Sequence, residues 1–341
     1  MKMRSADFHH TLSLLIGFIL VVAFVGGCAG PRISVETKTQ TPPTFPGFIP
    51  VTAQPGDTFD SLAAEYLKDP SLGWMIAGFN RIETIEAGQE LVIPTKPYQL
   101  GGLTSDRYQT VPVLSYHDFS ENKISKMIVT TTAFEAQMKL LKDKGYHVIS
   151  MQQFFDFLDF KTQIPEKSVV ITIDDGWLSA YDIAYPIIKK YGYPVTLFVY
   201  TDLIGRTKKT LTWDLVKELA DYGIDMQCHT KTHRDLTQLL KNESFQDYIG
   251  AIDMEIAEPT RVLKEKLNID TKFIAYPYGK TNRLVAAMLK KHGYRGGFSV
   301  KRRGNPFFIN NFTIHRSMIY GDMNLEQFEK NLTISDGKAL R

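Results

Sequence analysis

Cysteine is nearly absent from this chain. Only Cys28 and Cys228 occur in 341 residues, so no disulfide framework can staple the fold and a packed core has to hold it. An excess of one charge sign is also lacking. The formal net charge is +3, from 40 basic and 37 acidic residues, and the two signs are interspersed, which excludes the basic stripe of a nucleic-acid binder. Lys301-Arg302-Arg303 is a short exception; it reads as a solvated turn or as a face for an anionic glycan or lipid headgroups. Long apolar runs are missing everywhere except near the amino terminus, between Thr11 and Phe24.

What is present begins with that run. Lys2 and Arg4 precede it and Val25-Gly26-Gly27-Cys28 follows, the layout of a secretion signal that ends at small residues. With cysteine directly after the small pair, residues 1–27 resemble a bacterial lipoprotein signal. Cys28 would then be lipidated and its acyl chains would hold the mature protein on a membrane. An uncleaved membrane anchor is the alternative. Both place the rest of the chain in the cell envelope, facing the periplasm or the exterior. Residues 28–50 are rich in Thr and Pro with no hydrophobic period, as in an extended tether.

Residues 51–94 read as a small βααβ unit. Gly56-Asp57-Thr58 forms a turn and helix cap, Phe59, Leu62, Ala63 and Tyr66 recur at helical spacing, and a second helical patch carries Trp74, Ile76 and Phe79 to Asn80. Gly88-Gln89-Glu90-Leu91-Val92-Ile93-Pro94 returns as a strand. These landmarks resemble the LysM module, and the resemblance implies binding of N-acetylglucosamine polymers. The helical spacing of Trp74 and Phe79 assigns both to the core. A linker over 95–110, with Pro97, Gly101 and Gly102, leads to the remainder, 111–341.

There the pattern changes to strands alternating with helices, an α/β arrangement built on a parallel sheet or barrel. Strands are expected near Val111–Tyr116, Val148–Ile149, Val169–Ile173, Val195–Tyr200, Ile224–Cys228, Phe273–Ala275 and Gly297–Val300. Seven strands with interleaved helices suit a (β/α) barrel, in which functional groups gather at the carboxyl ends of strands. Four strand ends stand out: His117-Asp118, Asp174-Asp175-Gly176, His229-Thr230-Lys231-Thr232-His233, and Tyr276-Pro277-Tyr278-Gly279. An Asp-Asp-Gly strand end can be a plain turn. Two imidazoles four residues apart, joined by a carboxylate from a neighbouring strand, instead make a facial ligand set with positions open for water or substrate.

Thr172-Ile173-Asp174-Asp175-Gly176, His229-Thr230-Lys231-Thr232-His233 and Tyr276-Pro277-Tyr278-Gly279, in this order, resemble the three motifs of the polysaccharide deacetylases (NodB-homology domain, carbohydrate esterase family four). The likeness runs from about residue 111 to about 319. It implies a distorted (β/α)7 barrel in which Asp175, His229 and His233 hold a divalent metal, zinc foremost, and Asp174 is the general base. A carboxylate neutralised by a cation is a poor base, whereas its neighbour can take a proton from water. The Tyr278 backbone N–H would hold the oxyanion, with Pro277 and Gly279 shaping the loop. Leu114-Ser115-Tyr116-His117 lies ahead of the first motif, which resembles the circularly permuted members that act on poly-N-acetylglucosamine and makes His117 the general acid. His315 is its rival. Trp177, Pro277 and Tyr278 are the candidate substrate contacts. Ala275 stands where the family often has an arginine beside the base, and Arg316 is expected to enter from another strand in its place. Cys228, ahead of a ligand, reads as core.

The sequence therefore points to an envelope lipoprotein that removes N-acetyl groups from N-acetylglucosamine residues of peptidoglycan or poly-N-acetylglucosamine. An O-acetyl esterase acting on xylan or another acetylated polymer shares the chemistry. A non-catalytic glycan-binding protein would leave Asp174, Asp175, His229 and His233 without a role.

Overall fold

Strand Ser168–Asp175 organises the computed structural model, which describes residues 47–104, 107–333 and 335–336. Alternation along this strand divides its side chains between two cores. Val169, Ile171 and Ile173 join an outer layer with Phe134, Met138 and Leu141 of helix Thr131–Asp143 and Ile187 and Ile188 of helix Tyr185–Tyr191. Val170 joins an inner core with Val113, Phe198, Ala275, Phe298 and Ile314. Thr172 and Asp174 continue on the inner face as buried polar groups toward the carboxyl end of the strand.

The strands flanking it run in the order Gly296–Phe298, Phe273–Ala275, Asp225–Cys228, Val195–Val199, Ser168–Asp175, Val113–Tyr116 and Ser317–Met318, every pairing parallel. The sheet curls, and Ile314, just ahead of the last strand, bridges back to Phe298 of the first. This is the α/β fold with a curled parallel sheet that the alternation predicts, with one exchange of strands. His147–Val148, near the expected 148–149 strand, pairs only with the start of Ser168–Asp175 and stands off the main path. Ser317–Met318 takes the seventh place. Two residues beside a charged arginine give no period to detect. Helix Met151–Leu158 places Phe154, Phe155 and Phe157 in the inner core, with Phe155 4.3 Å from Phe273 ring to ring, and so fills the end of the curl opposite the strand carboxyl ends.

Ahead of this domain, strands Phe48–Thr52 and Glu90–Pro94 pair antiparallel around helices Phe59–Leu62 and Gly73–Asn80. The first strand starts three residues before the expected boundary at Val51. Thr58 caps the first helix in a capping box with Ser61. Asn80 welds the second helix to the returning strand: its Nδ2 donates to Ile76 O and Val92 O, each at 2.8 Å, and its Oδ1 accepts from Val92 N at 2.9 Å. The small core comprises Ala53, Leu62, Ala63, Ile76, Leu91 and Ile93. Trp74 is not part of it, contrary to its helical spacing, and Phe79 packs outward against Phe48 and Tyr98. Tyr98, in the expected linker, touches both sides: its ring meets Phe79 edge-on at 5.0 Å, and its backbone N–H donates to Gln163 Oε1 at 3.0 Å. Residues 1–27 and Cys28 lie outside the described residues. Among the described residues no helix is long and apolar enough to cross a membrane.

Gly297, on the first strand of the sheet, has no room for a side chain, because a Cβ there would collide with the Tyr276 hydroxyl. That hydroxyl donates to Phe312 O at 3.0 Å. Gly297→Ala is expected to destabilise the protein by about 1–3 kcal/mol through overpacking, read from urea unfolding; an unchanged midpoint would contradict the packing described here.

Candidate active site

Asp174 is 1% exposed and Arg316 0%. The guanidinium meets the carboxylate two-pronged, Nη1 to Oδ1 at 2.7 Å and Nη2 to Oδ2 at 2.8 Å. Arg316 also donates to Thr172 Oγ1 at 3.2 Å and Ser299 O at 3.3 Å, and lies over the Phe198 ring at 5.5 Å. The arginine absent from position 275 is thus supplied by the far end of the chain. Burial alone would raise the Asp174 pKa; Arg316, then His229 and His117, hold it below the ordinary aspartate value.

Asp175 leaves the strand with φ 78°, a left-handed geometry that few non-glycine residues adopt and that Asp tolerates better than most. This departure from the pleat brings its Oδ1 to 3.5 Å from His229 Nε2 and 3.7 Å from His233 Nε2. Among the described residues these three form the group of ligand atoms that all lie within 4.8 Å of one another. Donors each about 2.0–2.2 Å from one zinc ion are roughly 3–3.5 Å apart, so the two carboxylate–imidazole separations are close to those of donors that share one cation. The tautomer fits too. His229 Nδ1 is 2.7 Å from Ala275 O; a carbonyl only accepts, so Nδ1 carries the hydrogen and Nε2 keeps its lone pair for a metal. Trp177 Nε1 donates to Asp175 Oδ2 at 2.9 Å, leaving Oδ1 for the cation. Burial, reinforced by His229, lowers the His233 pKa to about 4, which keeps this donor neutral.

His117 follows Val113–Tyr116, whose Tyr116 pairs with Ile173, so one further step sets it level with Asp174. Its Nε2 is 3.8 Å from Asp174 Oδ2. Burial lowers its pKa against the pull of Asp174 and Asp175. His315 stands elsewhere. Its neighbour Arg316 points inward, so His315 faces the other way; its backbone bonds both ends of the Asn305 side-chain amide, and Lys301 and Arg303 act on its ring.

His117, Asp174, Asp175, His229, His233 and Tyr278 line one cavity of about 220 Å³, with Arg316, Tyr276 and Met318. Tyr278 (φ 59°) is 62% exposed at its rim, its ring 5.0 Å from that of His233. Among the described residues its backbone N–H has no acceptor. Gly279, at φ 67°, makes the turn where a Cβ would strike Val300. Pro277 is buried, and neither it nor Trp177 lines the cavity; Trp177 acts on Asp175 instead. Cys228 is buried, with its thiol pushed up to about 11 by that burial, an inert core residue.

Sequence reasoning passed over Glu255. It lies on the buried face of helix Phe245–Leu267, where its Oε2 accepts from the backbone N–H of Lys231 and Thr232 at 3.0 and 2.9 Å and its Oε1 from Thr232 Oγ1 at 2.7 Å. It therefore pins the loop between the two histidines. The signal available was a carboxylate one position before the apolar Ile256 on a helix face that also holds Ile252, Pro259 and Leu263.

Residues 161–297 match the family model described as polysaccharide deacetylase. The chain is 29% identical over 226 residues to YxkH of Bacillus subtilis (strain 168), 66% of this chain and 77% of that protein. It is 28% identical over 212 residues to the poly-beta-1,6-N-acetyl-D-glucosamine N-deacetylase of Staphylococcus aureus (strain MRSA252), 61% of this chain and 73% of that one. The Streptococcus pyogenes deacetylase PplD, solved in complex with acetate, superposes with a TM-score of 0.59 at 27% identity, covering 66% of this chain and 98% of PplD. The curled-sheet domain is thus similar to polysaccharide deacetylases in sequence over residues 161–297 and in fold.

Two substitutions test this geometry without an activity assay. Glu255→Ala frees the histidine loop and is expected to weaken zinc binding about 10–100-fold, measured against a competing chelator; unchanged affinity would show that the loop holds itself. Arg316→Ala leaves the Asp174 charge buried alone and is expected to cost about 3–5 kcal/mol in urea unfolding, with much of the loss recovered in the Arg316→Ala, Asp174→Asn double variant. No recovery would mean that packing of Arg316, and not its charge, carries the effect.

Proposed function

We propose that this protein is a metal-dependent hydrolase that removes N-acetyl groups from N-acetylglucosamine residues of a cell-envelope or exported polysaccharide. The observation that carries the reading is the meeting, in one cavity, of the Asp175, His229 and His233 trio with a buried carboxylate held by arginine. When bound there, a divalent cation, zinc foremost, supplies Lewis acidity toward water and the acetamide carbonyl. The chain's own groups do the rest. Asp174 accepts a proton from the attacking water, having lone pairs left after its two bonds to Arg316. The carbonyl oxygen gains charge as water adds, and the unpartnered Tyr278 N–H is available to it. As the C–N bond breaks, the amine nitrogen takes a proton through His117, which the protonated Asp174 beside it resupplies, and acetate and the free amine leave. With 3.8 Å between His117 and Asp174, the group that takes a proton stands beside the group that gives one. The exposed Tyr278 ring at the rim offers a face for a sugar.

Two features favour poly-N-acetylglucosamine over peptidoglycan and over O-acetylated xylan: the activity named for the Staphylococcus aureus relative, and the placing of His117 at the end of a strand that precedes Ser168–Asp175 in the chain yet neighbours it in the sheet, as the permuted members have it. In this reading the βααβ unit is a LysM-like glycan-binding module, and lipidated Cys28 anchors the protein to an envelope membrane, with residues 28–50 as the tether.

The test is acetate release from poly-N-acetylglucosamine, peptidoglycan and acetylxylan. Chelation is expected to abolish release and zinc to restore it, while Asp174→Asn and His117→Ala each lower kcat by about 10²–10⁴. Zinc-independent release, or activity that survives Asp174→Asn, would overturn the mechanism.

A further inference from the structure

Away from the deacetylase cavity lies a larger one, of about 450 Å³, where the N-terminal βααβ unit meets the curled-sheet domain. Trp74 and Gly78 of helix Gly73–Asn80 line one side and Gln163 and His147 the other, with Tyr98 and Gln99 between. The cavity sits at the opposite end of the sheet from the catalytic groups. Gln163 to Lys167 lead into the amino end of Ser168–Asp175, and Asp174 and Asp175 stand at its carboxyl end, roughly 25 Å away along an extended strand.

The lining is chemically specific. Trp74 is partly buried, lies outside the small core beneath it, and its indole N–H has no acceptor among the described residues. Tyr98 is 36% exposed, its ring fixed edge-on to Phe79. The Gln163 side-chain oxygen accepts from the backbone N–H of both Tyr98 and Gln99, at 3.0 and 3.1 Å, and its amide also bonds the Tyr98 hydroxyl, which fixes the amide across the seam. Charges around the rim are already engaged: Arg107 pairs with Glu166 at 3.1 Å, and Lys167 Nζ donates to Lys144 O at 3.0 Å. His147 is exposed at the rim, and partial desolvation of its ring lowers its pKa. Aromatic rings, oriented amides and balanced charge suit a neutral, hydroxyl- and amide-bearing ligand and disfavour an anion.

We propose that this seam is a second, non-catalytic site for an N-acetylglucosamine oligosaccharide. The proposal rests on the substrate class assigned above and places the glycan site of the βααβ unit at the seam, so that the catalytic cavity and the seam are the two sites of the chain. Because both folding units contribute walls, with Tyr98 tying them together, the site exists only while they are docked. A polymer held there keeps its other residues at high effective concentration near the catalytic cavity.

The experiment titrates the full-length Asp174→Asn protein with β-1,4- and β-1,6-linked N-acetylglucosamine tetramers by calorimetry. Two sites per chain are expected for at least one tetramer, and the linkage bound at the seam identifies the source polymer. Trp74→Ala should weaken one of the two by about tenfold or more. Ala77→Arg, on the cavity-lining face of the same helix, should block that site without removing a packed side chain, and it decides the matter if Trp74→Ala unfolds. A single site untouched by both substitutions, or no binding of either tetramer, overturns the proposal. Acetate release by the unmodified protein together with only one binding site would sink the seam site and leave the deacetylase standing. Two sites without acetate release would do the reverse.

Discussion

The ion pair between Arg316 and Asp174 is a condition on everything around it. Both groups are out of water, and taking two charges into a protein interior costs several kcal/mol per ion before their attraction is counted. Such a pair is poor evidence for stability. It is good evidence for direction, since two parallel hydrogen bonds fix the plane of the carboxylate and so fix where its remaining lone pairs point. The same arginine sits between Ile314, which bridges to Phe298, and Ser317–Met318, which pairs with Leu114 and Ser115. The segment that draws the edges of the sheet together is therefore the segment that neutralises Asp174. A curl left open at this point would strand a buried charge, and closure and chemistry are coupled for that reason.

Much of this was legible in the sequence because it depends on periods and strand ends. The alternation of strands and helices after residue 111, the helix caps, and the placing of carboxylates and imidazoles after apolar runs are local patterns. His117, Asp174, Asp175, His229, His233 and Tyr278 do share one cavity. What was not legible depends on packing between distant elements. The seventh strand, Ser317–Met318, is two residues long and exists only because Leu114 and Ser115 offer it hydrogen bonds. Glu255 belongs to a helix whose partner loop lies more than twenty residues earlier in the chain. Trp74 has the spacing of a core residue yet lies outside the small core, because a helix of eight residues has more than one face and periodicity does not say which neighbour each face meets. Trp177 was read only as a sugar contact, and its indole N–H bond to Asp175 went unseen, since only the fold decides what lies within reach of an indole N–H.

The backbone carries part of the site's design. Asp175, Thr230, His233 and Tyr278 all hold left-handed φ values, between 59° and 78°. Each costs about 1–2 kcal/mol relative to ordinary backbone, and for β-branched Thr230 the geometry is a genuine outlier. Strain of this kind persists only where surroundings over-determine it, and here they do. The Thr230 N–H reaches Cys228 Sγ, Thr230 Oγ1 accepts the His233 N–H, and Glu255 holds the two residues between. Ordinary rotamers on a regular strand would send successive side chains to opposite faces and separate Asp174 from Asp175 by the thickness of the sheet. A left-handed residue at the strand end breaks that alternation, so two adjacent carboxylates open on one cavity with different neighbours, an arginine for the first and two imidazoles for the second. The different surroundings of the two acids thus follow from a left-handed turn at the strand end.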